Sequence, residues 1–231
     1  TIPTMLTMTL PATNLPGEKR TWKSVYSAGI SLSIAEISQQ HQGLVLVVAS
    51  SARSASRIMT EVAFFLGDES KVFHFPDWET LPYDQFSPHQ DIVSQRLKTL
   101  HSLPQTSTGV VVVPVMTMMH RIPPVDFVSA RSFDYSIGDH LDPCDLRKKL
   151  QHNGYRLTET VIEHGEYNIR GSIIDIYPMG APLPFRIDLF DNEIESLRTF
   201  DPDSQLTLEK MDHLFLLPAK DVLPMHCASN I

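Results

Sequence analysis

The chain is poor in cysteine. Its 231 residues include two, Cys144 and Cys227, with no Cys-x-x-Cys spacing. That argues against a disulfide framework or a thiolate zinc site, and it suits a reducing cytoplasm. Long apolar runs are also missing, since none approaches the ~20 residues that cross a bilayer. The opening TIPTMLTMTLPATNLPGEKR lacks the charged-then-apolar order of a secretory signal and reads as a lead-in. Phosphate-cradling glycine loops are absent too. The stretch TWKSVYSAGISLS ahead of the first predicted helix has one glycine and no Gly-Lys pair, so it cannot be a P-loop. Neither Gly-x-Gly-x-x-Gly nor Gly-x-Ser-x-Gly occurs, and the ten histidines show no ligand spacing. The expectation is a cytoplasmic protein with no membrane partner, no catalytic residue, no metal and no cofactor of its own.

What is present is an ordinary globular composition, 42% hydrophobic and 20% charged, long enough for one large or two small domains. The net charge of −8 has a location. Residues 159–209 carry eleven Asp or Glu against Arg170, Arg186 and Arg198, and the remainder is close to neutral. Such a segment repels nucleic acid unless its arginines are grouped, so a protein partner is favoured over DNA.

In chain order, an apolar stripe predicts a helix over 24–40. LVLVVA (44–49) follows as a continuous apolar strand of the kind covered on both faces. Ser50-Ser51 caps a helix over 53–66 that ends at Gly67, and Lys71 to Phe75 is a second strand. Ser87-Pro88-His89-Gln90 reads as a capping box starting a helix to about Ser102, with Gly109 then opening a third buried strand, VVVVPV. Strand and helix alternate, which predicts a three-layer unit on a parallel sheet. Beyond Pro123-Pro124 the pattern changes. Residues 125–137 read as extended, Asp142-Pro143 caps a helix over 143–152, and strands with turns then predict a small α+β domain to about 212, with one more strand in HLFLLPAKDV.

The stretch from Glu163 to Asp201 carries the functional signal. In PFRIDLF the residues Phe185, Ile187 and Leu189 share one face, and Arg186, Asp188 and Phe190 share the other. Asp191-Asn192 is a turn pair, which predicts a hairpin of 183–190 with 193–199. The segment Asn168 to Ile176 would pair with it as one strand and bring Arg170 to the face of Arg186 and Phe190. Two readings of that face stay open. Arg186 could simply pair with Asp188 or a neighbouring acid, or the set could be a protein-docking surface, where arginine and aromatics dominate binding energy. Asp77, Glu79 and Asp84 read as a solvated loop without a base or nucleophile partner. His164-Gly165-Glu166 reads as a turn with a structural histidine, because a zinc deaminase would need a second cysteine after Pro143-Cys144.

Four segments, DWETLPYDQFSPHQDIVSQRLKTL, VVVVPVMTMMHR, EHGEYNIRGSIIDIYPMG and PFRIDLFDNEIESLRTFDPDSQ, together resemble the N-terminal part of the bacterial transcription-repair coupling factors (Mfd), a region similar to the excision-repair protein UvrB. The likeness spans roughly residues 20–222. It implies an α/β fold: a parallel-sheet, helicase-like domain of degenerate P-loop NTPase type over 1–124, a UvrA-binding α+β domain with an antiparallel sheet over 125–212, and a segment returning to the first domain from 213. It implies UvrA as the partner, bound by Arg170 (in Tyr-Asn-Ile-Arg-Gly), Arg186 (in Pro-Phe-Arg-Ile-Asp) and Phe190 (in Asp-Leu-Phe-Asp). In the full-length family protein it implies RNA polymerase and DNA as further partners and ATP as the motor's cofactor. A nucleic-acid-binding module related to UvrB is the alternative. On this reading both guanidinium forks face outward, so Arg186→Ala or Phe190→Ala should weaken UvrA binding and leave stability nearly unchanged.

Overall fold

The structure is a computed structural model that describes residues 17–23, 25–79 and 88–220. It divides into two compact units, residues 1–77 with 102–120 and residues 78–101 with 121–231.

In the first unit, α1 (Ala28–Gln40) leads into β1 (Leu44–Ala49), then α2 (Ala52–Leu66), β2 (Val72–His74) and β3 (Gly109–Pro114). The three strands are parallel in the order β1-β3-β2. The predicted ends of α2 are observed. Ser51 Oγ accepts from the Ser54 amide at 3.2 Å, and Gly67 closes the helix in the left-handed region at φ 65. Ile34 and Ala35 of α1, Ala55, Ile58 and Val62 of α2, and Val110 and Val112 of β3 form one core. Coverage of β1 on both faces is not observed: Leu46 and Val48 are exposed, so its apolar run buries one face only.

The helix between β2 and β3, α3 (Gln90–Ser102), belongs except for its last residue to the second unit, whose core Val93 and Leu97 join. Ser87 of the predicted capping box lies outside the described residues. The second unit continues with α4 (Val125–Ser129), β4 (Phe133–Ser136), α5 (Pro143–His152), β5 (Arg156–Leu157), β6 (Glu166–Arg170), β7 (Ile173–Ile176), β8 (Phe185–Phe190), β9 (Glu193–Phe200), β10 (Thr207–Met211) and β11 (His213–Leu216). Six strands form a sheet in the order β10-β9-β8-β7-β6-β5, antiparallel except for β5 with β6, and β11 pairs with β4.

Two expectations are corrected here. Residues 125–137 are not continuously extended: Pro124 supplies an extended N-cap and Asp126 an acid in the first turn, and α4 forms to bury Phe127 and Val128 before β4 begins. Asn168 to Ile176 is two strands rather than one, because Gly171 at φ 60 turns the chain between β6 and β7. The predicted cap of α5 holds, with Asp142 Oδ1 accepting from the amides of Cys144 at 2.7 Å and Asp145 at 3.3 Å.

One face of the six-stranded sheet is core. Tyr167, Ile174, Ile176, Ile187 and Leu197 are fully buried on it, with Leu146 and Leu150 of α5 in the same cluster. Complete burial of each aliphatic side chain contributes about 2 kcal/mol. Tyr155 ties the segment after β11 to this core, donating to the Leu217 carbonyl at 2.7 Å, and burial pushes its phenol well above the ordinary range. His164 is structural as expected, set between Asp91 Oδ1 at 2.7 Å and the Ala181 carbonyl at 2.9 Å, with its ring on Tyr177.

The Asp191-Asn192 turn joins β8 to β9 with φ 49 and φ 65, the positive pair that matches strand twist. Asn192→Val should therefore lower stability by about 1 kcal/mol, the cost of a branched residue in the left-handed region, while Asn192→Gly should not lower it. Urea denaturation checks this, and equal midpoints for the two variants would contradict it.

Candidate functional site

The face of the six-stranded sheet away from the core is charged, and strand register decides what meets on it. Asn168 lies opposite Asp175, Asp175 opposite Arg186, Arg186 opposite Arg198 and Arg198 opposite Lys210, one row across five strands. The adjacent row runs Arg170, Ile173, Asp188 and Ser196. The predicted alternation of β8 is observed, with Phe185, Ile187 and Leu189 buried and Arg186, Asp188 and Phe190 on the other side. Arg170 and Arg186 are thus brought to one face, as expected from the sequence.

Asp175 joins them. This carboxylate is 2% exposed. Arg186 donates to it from Nε to Oδ1 at 2.6 Å and from Nη2 to Oδ2 at 3.0 Å, and Arg170 Nη2 donates to Oδ2 at 2.6 Å. Arg186 is fixed from two further sides. Its Nη1 donates to the Gln205 carbonyl at 3.4 Å, and its Cζ lies 4.7 Å from the ring centre of Phe200. The hydrogen bonds to Asp175 hold its guanidinium above the ordinary arginine range. Of the two open readings, Arg186 does pair with a neighbouring acid. That acid is Asp175 on β7, while Asp188 takes Arg198 Nη2 and the Ser196 hydroxyl instead.

Phe190 stands at the hairpin end, 67% exposed. The tip beneath it is braced by the loop that follows β4. Leu141 donates its amide to the Asn192 carbonyl at 2.7 Å, and Ile194 donates to the Asp139 carbonyl at 2.9 Å. The ring is held out to water on a braced turn, with its apolar area uncovered in this structure.

The structure brings in residues that the sequence reading did not. Asp175, an acid inside an otherwise apolar Ile-Ile-Asp-Ile run, was the visible signal. Gln205, in the loop after β9, left none because it reaches Arg186 only through tertiary folding, and Phe200 meets Arg186 from the end of β9. The idea of two free outward forks is corrected. Asp175 occupies one edge of each guanidinium, leaving Arg170, with 57% of its side chain exposed, open to solvent and Arg186, at 18%, largely closed. Among the described residues no group of three or more His, Cys, Asp or Glu could hold a metal ion. Asp77 lies near Thr117 and His120 within the first unit; Asp84 lies outside the described residues.

Residues 133–222 match the family described as the UvrB interaction domain. Over most of its length the chain is homologous to bacterial transcription-repair-coupling factors. It is 44% identical over 205 residues to that of Escherichia coli strain K12 and 42% over 209 residues to that of Haemophilus influenzae, each alignment covering 89% of this chain and 18% of the relative. It is 29% identical over 179 residues to that of Bacillus subtilis, covering 78% of this chain and 15% of the relative. The chain therefore spans under a fifth of the length of these relatives.

Losing Arg186 would leave a buried carboxylate with one half-solvated partner, and losing Arg170 would remove an exposed contact. Arg186→Ala should lower unfolding free energy by about 3 kcal/mol and Arg170→Ala by less than about 1 kcal/mol. This revises the expectation that Arg186→Ala is silent for stability. Thermal or urea unfolding of both variants checks it, and equal losses would contradict it.

Proposed function

We propose that this chain is a non-catalytic docking module that recruits the repair protein UvrA, and that in the longer proteins it resembles this brings UvrA to RNA polymerase stalled on damaged DNA, for transcription-coupled nucleotide excision repair in the cytoplasm. The observation that carries this reading is the exposed Phe190 on the same sheet face as the Arg170–Asp175–Arg186 cluster. The match to the UvrB interaction domain and the homology to transcription-repair-coupling factors support it. Phe190 would fill an apolar pocket on UvrA, and Arg170 would offer its open edge to a carboxylate there. Arg186 would contribute chiefly by holding Asp175, and through it Arg170, in place. The first unit would be a helicase-like scaffold without nucleotide chemistry, and the module would need no cofactor. Any ATP-driven motion on DNA would reside in the rest of such a longer protein.

A second reading has its own observation. A hollow of about 510 Å³ is lined by Arg131, Lys148, Lys149 and His152 with no carboxylate among its lining residues, and phosphate of a nucleic acid would suit it. Duplex binding that weakens steeply with salt and is lost on Lys148→Glu with Lys149→Glu would favour this reading over protein docking.

Phe190→Ala should weaken UvrA binding by about 2 kcal/mol, the size of an interface hot spot, with the thermal midpoint unchanged. Calorimetric titration of the chain with purified UvrA checks it; an affinity equal to that of the parent chain would remove the docking assignment.

A further inference from the structure

At the end of α5, Arg131, Lys148, Lys149 and His152 surround a hollow together with Phe133 and Asn153, and no carboxylate lines it. A positive surface on a chain of net charge −8 needs a cause. Part of the cause is local, since Lys149 and His152 sit in the last turn of α5, where cations meet the negative end of the helix dipole. That does not account for Arg131, from the segment between α4 and β4, or for Lys220, beyond β11. Both are brought in by particular contacts. Asn153, 4% exposed, donates Nδ2 to the Arg131 carbonyl at 3.2 Å, and its own carbonyl accepts from the Ala219 amide at 2.8 Å. Gly154 follows, and the Lys220 side chain crosses it so closely that a Cβ there would stand 2.7 Å from Lys220 Cγ. Rings rather than acids hold two of these cations. Arg131 Cζ lies 4.2 Å from the ring centre of Phe127, and Lys149 Nζ lies 5.4 Å from that of Phe133. Among the described residues only Lys148 of this set has an ion pair, with Asp145 at 3.2 Å, and that contact is open to water. Asp134 is turned away, alternating with Phe133 along β4 and pairing with His213 at 3.4 Å.

We propose that this hollow, with Lys220 beside it, binds the phosphate backbone of a nucleic-acid duplex without reading its sequence. The proposal deepens the nucleic-acid reading of the hollow and rests on it. Residue types select the ligand. A carboxylate is matched best by the paired N–H groups of arginine, whereas three lysines, a histidine and one arginine make a set of separate point charges, which suits phosphates spaced along a strand. The rings select the form of nucleic acid. Single strands are held by bases stacked on open aromatic faces; here Phe127 is buried and Lys149 lies over Phe133, so neither ring is open for stacking. A duplex held there leaves the docking face clear. Leu146 and Leu150 pack α5 on the core face of the sheet, while Arg170, Arg186 and Phe190 stand on the other.

Fluorescence anisotropy of a labelled DNA duplex of random sequence tests this on the whole chain. The parent should bind, and with about three phosphates engaged its affinity should fall about fortyfold when salt is raised about fourfold. Lys148, Lys149, Lys220 and Arg147 are all exposed, so each can be reversed without disturbing the core. Lys148→Glu with Lys149→Glu should weaken binding about tenfold or more, and Lys220→Glu about threefold. Arg147→Glu makes the same charge change on α5 but lines a different hollow, beside Asn168 and Arg170, and should change affinity by less than about twofold. If the parent shows no salt-sensitive duplex binding, the nucleic-acid reading and this site fall together. If it binds but the double variant and Lys220→Glu match it, or Arg147→Glu is as weak as they are, nucleic-acid binding stands and the hollow is overturned as its site. Tighter binding of a single strand of equal length would overturn the duplex assignment. So would a loss of affinity for purified UvrA in the double variant, measured by calorimetry, because the hollow would then belong to a protein interface; parent affinity is expected.

Discussion

A buried carboxylate shared by two arginines organises the exposed face of the second unit. Asp175 is almost wholly shielded from water, and such an acid is tolerated only where its charge is met at contact distance. Arg186 meets it through two nitrogens and Arg170 through one, so a single charge on β7 fixes side chains from β6 and β8. Gln205 and Phe200 then close around Arg186, extending the constraint into the loop after β9. The result is an array of guanidinium groups whose orientation is set before any partner arrives. Long side chains that need no ordering on binding lose less entropy there.

Division of labour follows from exposure. Arg186, mostly covered, contributes to the fold first and to recognition through it; Arg170 and Phe190 remain open to a partner. The same sheet separates these roles in space, since its other face is packed by Ile174, Ile187 and Leu197 against the helices. A site built on three adjacent strands, β6 to β8, has little freedom to drift, and the loop after β4 braces the hairpin end that carries Phe190.

Much of this was legible from residue order. Alternation in PFRIDLF assigned the faces of β8, Asp191-Asn192 placed the turn, and Ser51, Gly67 and Asp142 marked helix ends, because each of these is a local rule. The placement of Arg170 with Arg186 came from pairing the segment Asn168 to Ile176 with the hairpin, and it agrees with the register across β7. What was not legible is non-local. No pattern in the sequence links Arg186 to Gln205, and the pairing of Arg186 with Asp175 rather than Asp188 depends on which strand lies beside β8. Residues 125–137 read as extended, yet proline favours the start of a helix, and Val125–Ser129 after Pro124 form α4, which buries Phe127 and Val128.

The central claim is that Asp175 orients the docking face rather than merely neutralising it. Asp175→Asn keeps the shape of the side chain and removes the charge that holds both arginines. Its affinity for purified UvrA should be measured by calorimetry at a temperature where circular dichroism shows the variant fully folded. A loss of about tenfold or more is expected, on the scale of a broken charge-assisted contact. Parent-like affinity in the folded variant would contradict the account.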